Sequence, residues 1–335
     1  MSEAAGFRDP RVLIPFLLVT LIWSSTWIVI KDQIGTVPAP WSVTYRFLIA
    51  GAAMFVIALA SGAPLRIDAR GHGWALAIGL PQFAVNFNLV YTAEHYITSG
   101  LVAVLFALLM VPNTLLAWAL FGQRPTARFV IGSAVALGGI ALLFVQEARV
   151  AAVSTSAVLA GIGFTLVAVL AASAANVMQL SPGVKSRPIV VMLAWAMLYG
   201  ALCDGLFALA VHGPPVAEAR PGYWLGVLYL GLVASALTFP LYFNIIRQIG
   251  PGKAAYSSVL IPILAMAIST AAEGYRWSAL AAAGGMLAIA GLIIALRAGR
   301  APAVAAPMES CGNCGEEEED GAGSGNRTRI TSLEG

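Results

Sequence analysis

Charge is what this sequence has least of. Among 335 residues, 19 are basic and 16 acidic, only 10% in all. A soluble domain carries about a quarter. Ordinary soluble enzymes, nucleic-acid binders and disordered chains are excluded on that ground, and the net charge of +3 says little about partners. Histidine and cysteine are scarcer still, three of each. Cys203 lies in an apolar stretch, and Cys311 and Cys314 form one C-x-x-C in a polar tail. A structural zinc site wants two such halves or added histidines. None is near, so the pair is expected to be neither a metal site nor a disulfide staple. No H-E-x-x-H, G-x-S-x-G or P-loop motif occurs, which leaves no sign of an enzyme, a cofactor or ATP-driven work. His72, His95 and His212 fall at expected helix ends.

What is abundant is apolar: 59% of residues are hydrophobic, with mean hydropathy +0.83. A spanning helix needs about 20 apolar residues. The sequence predicts ten such helices, near 12–30, 41–61, 73–91, 99–121, 127–145, 153–179, 188–211, 223–246, 254–272 and 277–296. The fold class expected is therefore an all-α membrane protein. Residues 1–11 read as a short N-terminal segment without a cleavage site, 12–146 and 147–300 as two halves, and 301–335, with its acidic run Glu316–Asp320, as a disordered tail whose end resembles an expression scar.

Orientation follows from the basic residues. With the N-terminus in the cytoplasm, that side holds Arg8, Arg11, Arg66, Arg70, Arg124, Arg128, Lys185, Arg187, Arg247, Lys253, Arg297 and Arg300, twelve in all. The opposite side holds four: Lys31, Arg149, Arg220 and Arg276. The bias favours both termini inside and an even number of spans. Trp41, Trp74, Trp118, Trp224 and Trp277 fall at expected helix ends, as an aromatic belt requires. Trp23, Trp27 and Trp195 lie deeper.

The halves resemble each other weakly. Trp74 and Trp224, Pro112 and Pro262, and Gln123 and Glu273 match at a separation of 150. Gly132, Ala136 and Gly139 match Gly284, Ala288 and Gly291 at 152. Five helices per repeat is an odd number, so the second repeat would enter the membrane inverted, the usual plan of secondary transporters. The small residues at four-residue spacing let two helices approach closely. Packing within one chain is favoured over dimerisation, and a monomer or weak homodimer is expected.

Several residues are candidates for a transport site. Arg46 lies inside the second span. A charge there faces a cavity or a partner, and a guanidinium suits a carboxylate. Snorkelling or a structural salt bridge is the competing reading. Asp204, the other deep charge, would bind a substrate amine, carry a coupling proton or neutralise Arg46. Phe83, Phe87 and Tyr91 recur every four residues, as do Trp23 and Trp27, while Phe239, Tyr242 and Phe243 form a third group. They read either as helix packing or as the wall of a cavity. Polar neighbours, Ser24, Ser25, Asn86, Asn88, Asn244 and Ser257, favour a cavity of mixed polarity. Trp195, Tyr199 and Tyr256 complete the expected cavity set. Pro81, Pro112, Pro240 and Pro262 are static kinks or hinges, and the matched pair Pro112 and Pro262 favours hinges.

The run Leu21-Ile22-Trp23-Ser24-Ser25-Thr26-Trp27 through Lys31 resembles the opening helix of EamA-like proteins in the drug/metabolite transporter superfamily. Arg46 to Gly51, Tyr91 to Pro125 with Thr98-Ser99-Gly100 and Pro112, and Gly231 to Glu273 resemble later segments of that family. Within it the chain is most similar to bacterial inner-membrane exporters of aromatic and other amino acids. The resemblance implies ten helices in two inverted repeats, alternating access, and a cavity walled by helices 1–4 and 6–9, with 5 and 10 bracing the outside. An acid often found after helix 4 is Gln123 here. The expected partners are amino-acid cargo and the lipid bilayer. Cationic drugs or other metabolites of the superfamily are the alternative cargo, with an intramembrane enzyme as a remote one.

Overall fold

The computed structural model describes residues 9–122, 124–150, 154–255, 257–272, 274 and 277–296. Tyr256, Gln123, Glu273, Arg276 and the tail with Cys311 and Cys314 lie outside the described residues. Among the described residues there is no strand. Ten long helical segments follow one another: α1 (Pro10–Gln33), α2 (Ala39–Ala60), α3 (69–93), α4 (Ser99–Phe121), α5 (Ala127–Val150), α6 (Thr155–Met178), α7 (Ile189–His212), α8 (Pro221–Ile249), α9 (Ser257–Ala272) and α10 (Ala279–Leu296). Side-chain caps start three of them. Asp9, Asp68 and Ser154 accept from the backbone N–H of Arg11, Gly71 and Ala157, and so supply donors of the first turn with partners.

Among the described residues six helices, α1, α2, α4, α6, α7 and α8, are long and apolar enough to cross a membrane by length and composition. The apolar stretches Ala127–Leu143 and Ala279–Gly291 are shorter. Segment α3 carries Arg70, His72, Gln82, Asn86 and Asn88, and α9 has 16 residues. Composition averaged over a window hides why α3 is polar: several of its polar groups turn inward. The outside is greasy, with Ile14, Leu120, Leu206 and Leu225 each more than 60% exposed. Exposed apolar surface on that scale is unsuited to water. Hydroxyls buried in the bundle close onto their own helix: Thr20 on the Phe16 carbonyl at 2.7 Å, Ser24 on Thr20 at 2.6 Å, Thr165 on Gly161 at 2.8 Å.

Among the described residues, α3 and α8 widen into π turns at related places. In α3, Leu80–Val85 form a π-helical turn; in α8, Tyr229–Leu237 do the same. Pro81 lies inside the first turn and Pro240 just beyond the second. A proline clashes with the carbonyl four residues earlier and leaves it unpaired; widening the helix to π geometry near that point accommodates both. In α4, Ala107–Leu109 tighten into a 3-10 turn before Pro112, whereas Pro262 sits inside the α-helix of α9.

Helices α5 and α10 pack closely through the small residues. A Cβ on Gly139 would stand 2.8 Å from Ala288 Cα and 2.5 Å from the Gly284 carbonyl oxygen. A Cβ on Gly291 would stand 2.8 Å from Ala136 Cα and 2.6 Å from the Gly132 carbonyl oxygen. The contacts are reciprocal: each residue meets the sequence counterpart of the other's partner. The same exchange appears nearer the centre. A Cβ on Gly79 of α3 would stand 3.0 Å from the Ala196 carbonyl carbon of α7, and one on Gly231 of α8 would stand 3.0 Å from the Arg46 carbonyl oxygen of α2. Gly122 after α4 and Gly274 after α9 both adopt left-handed backbone, φ 68° and 69°, a conformation that only glycine takes without strain.

Candidate functional site

Segments α1, α2, α3, α4, α6, α8 and α9 enclose a cavity of about 90 Å³ open to the centres of water molecules. That is room for several waters. Trp23, Trp27, Phe87, Phe106, Phe239 and Tyr242 supply aromatic wall, and Thr26, Gln82, Asn86, Asn176, Ser257 and Ser258 supply polar wall. Arg46 is the charged residue among those lining it.

The aromatic wall is tied together. Trp23 donates to the Ala234 carbonyl at 3.1 Å and to Thr238 Oγ1 at 2.9 Å, and its ring meets Tyr242 edge-on at 4.8 Å. Its two acceptors lie in or just beyond the π turn of α8, where the helix frees carbonyls. Ser25 and Tyr229 share a 2.6 Å hydrogen bond two residues further along α1. Trp27 meets Phe106 at 5.1 Å.

Arg46 is buried, 1% exposed, so it does not snorkel. Its guanidinium carbon sits 4.2 Å from the Phe87 ring centroid and 5.2 Å from that of Phe47. Its Nε donates to Ser235 Oγ at 3.0 Å, while Nη1 has no protein partner. Three more cavity groups are left in the same state. Trp27 Nε1 is a buried donor without an acceptor, and Gln82 Oε1 and Asn86 Oδ1 are buried acceptors without donors. The amide of Asn86 is oriented by its Nδ2, which donates to the Gln82 carbonyl at 3.3 Å. A buried polar group without a partner is expensive, and such groups cluster where a ligand supplies the missing bond. Four residues that line the cavity thus carry, between them, two unmet donors and two unmet acceptors.

Of the residues expected from sequence, the structure brings Trp23, Trp27, Arg46, Asn86, Phe87, Phe239 and Tyr242 together on this wall. Ser24 points its hydroxyl back into α1. Phe83 stands behind the wall, against Phe47 at 4.9 Å and Phe239 at 5.0 Å. Tyr91 donates to Gln33 Oε1 at 2.7 Å. Trp195 and Tyr199 form a separate cluster: Trp195 donates to the Leu65 carbonyl at 2.9 Å, and Tyr199 meets His72 Nδ1 at 2.7 Å. Asp204 is bonded to Asn88, not to Arg46, so the two deep charges do not neutralise each other. Sequence reasoning missed Gln82, Asn176, Thr26 and Ser258. Gln82 and Asn176 carried a readable signal, an amide inside an apolar span.

At each end of the bundle one ion pair ties the two halves together. At one end Arg187 pairs with Asp68 at 2.6 Å, and Arg247 donates to the Arg187 and Val184 carbonyls and to Gln179. At the other, Arg220 pairs with Asp32 at 2.9 Å, and Lys31 donates to the Glu94 carbonyl.

The sequence pattern of the EamA-like transporter family matches residues 11–145 and again 159–297. The chain belongs to this family. The two matches together cover most of the EamA-like chain. A Salmonella typhimurium protein named as a probable amino-acid metabolite efflux pump is 26% identical over 88% of this chain and 95% of its own. The uncharacterized inner membrane transporter YedA of Escherichia coli K12 is 28% identical over 76% of this chain and 80% of its own. A crystal structure with 20% identity superposes with a TM-score of 0.64 over 87% of this chain and 99% of its own, which supports the fold alone. The protein is a multi-pass membrane protein of a transporter family, and these two relatives are named as a transporter and an efflux pump.

Proposed function

We propose that this EamA-like protein is a secondary transporter that exports amino acids, aromatic and other neutral ones, and related metabolites across the inner membrane by alternating access. The observation that carries this reading is the set of four unmet polar groups on residues that line the cavity. A zwitterion answers all of them. Its carboxylate takes the Arg46 Nη1 and Trp27 Nε1 donors, and its ammonium gives hydrogens to Gln82 Oε1 and Asn86 Oδ1. The aromatic wall of Phe87, Phe106, Phe239 and Tyr242 receives the side chain. The name of the Salmonella relative points to the same cargo class. A cationic drug would meet Arg46 as the charged residue among those lining the cavity, a repulsive arrangement.

Two inverted five-helix repeats with both termini cytoplasmic supply the mechanism. The reciprocal contacts of α5 with α10, and of Gly79 and Gly231 with the opposite half, support a two-fold relation between the halves. Each half then adopts in turn the other's conformation, with Pro112 and Pro262 as hinges. Counterflow in liposomes tests the reading. Proteoliposomes preloaded with unlabelled amino acid are expected to accumulate labelled phenylalanine or threonine transiently above equilibrium. Absence of accumulation for every amino acid, in monodisperse and correctly inserted protein, would falsify the cargo assignment.

A further inference from the structure

Asp204 lies in the lower-numbered half's grip although it belongs to α7: its Oδ1 accepts from Asn88 Nδ2 of α3. Asn88 Nδ2 also donates to the Ala84 carbonyl in the π turn at 3.0 Å. Asp204 is 1% exposed. Two oxygens of this pair, Asp204 Oδ2 and Asn88 Oδ1, are buried acceptors with no donor.

No charge answers Asp204. Among the described residues no salt bridge includes it. The titratable groups on the helices packed against α7 are committed elsewhere or face outward. On α2, Tyr45 donates to the Val216 carbonyl and Arg46 to Ser235. On α3, His72 is paired with Tyr199, Tyr91 with Gln33, and Arg70 is exposed. On α8, Tyr223 shares a hydrogen bond with Ser42, Tyr229 with Ser25, Tyr242 lines the cavity, and Arg247 is tied to Gln179. Cys203, the neighbour on α7, is a free thiol. An ionised carboxylate held by one neutral donor in such a place is uncompensated. A carboxylic acid is not: its O–H supplies a donor where two acceptors now have none, while its carbonyl keeps the Asn88 bond.

We infer that Asp204 with Asn88 is a proton-binding site that couples the transport cycle to a proton gradient. The inference rests on the transporter reading above. On binding, an O–H bond forms at Asp204 Oδ2; on release that bond breaks and the proton leaves to water, with no bond to carbon altered. The protonated pair holds α3, and with it Asn86 and Phe87 of the cavity wall, against α7. Deprotonation removes the added donor and favours the state in which α3 and α7 part. A proton suits the pair better than a metal cation. Hard cations take about six oxygens, and no cluster of His, Cys, Asp or Glu among the described residues suits a metal.

Infrared difference spectra of the reconstituted protein between acid and alkaline pH test the site without cargo. A protonated-carboxyl band is expected that Asp204→Asn abolishes and Asn88→Ala shifts. Transport adds the coupling arm: an imposed pH gradient is expected to drive phenylalanine flux in the wild type and to lose that effect in Asp204→Asn, while counterflow persists. A band that survives Asp204→Asn, a gradient response that survives it, or flux driven by a sodium gradient instead, overturns the inference. Where Asp204→Asn does not fold, an unshifted band in monodisperse Asn88→Ala overturns it as well. Wild-type protein that shows the band but no counterflow for any amino acid refutes the cargo reading and leaves the proton site standing.

Discussion

Arg46, which lines the cavity, is stacked on Phe87, its guanidinium carbon 4.2 Å from the ring centroid, with Nη1 buried and unpartnered. The ring holds the fork in place, and the fork keeps one donor free. A lysine in that position retains the charge but neither the plane nor the fork. Hydrogen bonds to charged groups are worth about 1.5–3 kcal/mol, roughly ten- to a hundredfold in affinity. Arg46→Ala is expected to raise the half-saturation for phenylalanine counterflow by that factor, with Arg46→Lys intermediate. Unchanged values in both variants would remove Arg46 from the cargo site.

Asn86 is assigned to the other end of the zwitterion. Asn86→Leu keeps the volume and removes the acceptor Oδ1. Affinity for phenylalanine is expected to fall about tenfold, the worth of one charge-assisted bond. Inhibition by 3-phenylpropanoate, which lacks the ammonium, is expected to stay unchanged. Competition assays in the same liposomes separate the two; an equal loss for both compounds would contradict the assignment.

The two-fold relation makes a paired forecast. Gly139→Ala and Gly291→Ala each push a methyl into the opposite backbone. Overpacking of this kind costs about 1–3 kcal/mol, and both variants are expected to lose thermal stability by similar amounts. Gly163 on α6 has nothing within 4 Å of an added Cβ. Gly163→Ala is expected to leave the melting temperature unchanged or raise it, since alanine is the better helix former. A large difference between Gly139→Ala and Gly291→Ala speaks against equivalent halves.

At the end of the bundle, the Arg187 guanidinium holds the Asp68 carboxyl below the usual carboxylate range. A depressed folded value means that the unfolded chain binds the proton first as pH falls. The stabilisation is therefore present above the ordinary carboxylate value of 3.8 and is lost as pH falls through the lower folded value. The gap in melting temperature between wild type and Asp68→Asn is expected to be flat above pH 5 and to close in stronger acid. Asp68 is exposed, so the gap should also shrink with salt. A gap that widens in acid would reverse the sign.

The positions of the helices were legible because each is an apolar run closed by a polar connector, and Gly132, Ala136, Gly284 and Ala288 announced a close helix pair. Part of the cavity wall was legible too, since Arg46 is costly in lipid unless it faces inward, and Trp23 and Trp27 share one helix face too deep for an interfacial belt. The π turns were not. Nothing in Leu80–Val85 or Tyr229–Leu237 marks them except the nearby prolines, and they set which faces of α3 and α8 turn to the cavity. Trp195 and Tyr199 carry the same composition signal as Trp23 and Tyr242. Their partners, the Leu65 carbonyl and His72, are distant in sequence, and only the fold brings them together.

The most direct test of the central claim is competition in phenylalanine counterflow by three compounds of matched shape. They are phenylalanine itself, phenethylamine without the carboxylate, and 3-phenylpropanoate without the ammonium. A cavity whose lining residues carry two unmet donors and two unmet acceptors should favour the zwitterion over both by roughly tenfold or more, one charge-assisted bond each. Equal inhibition by all three, or preference for the amine, would contradict it.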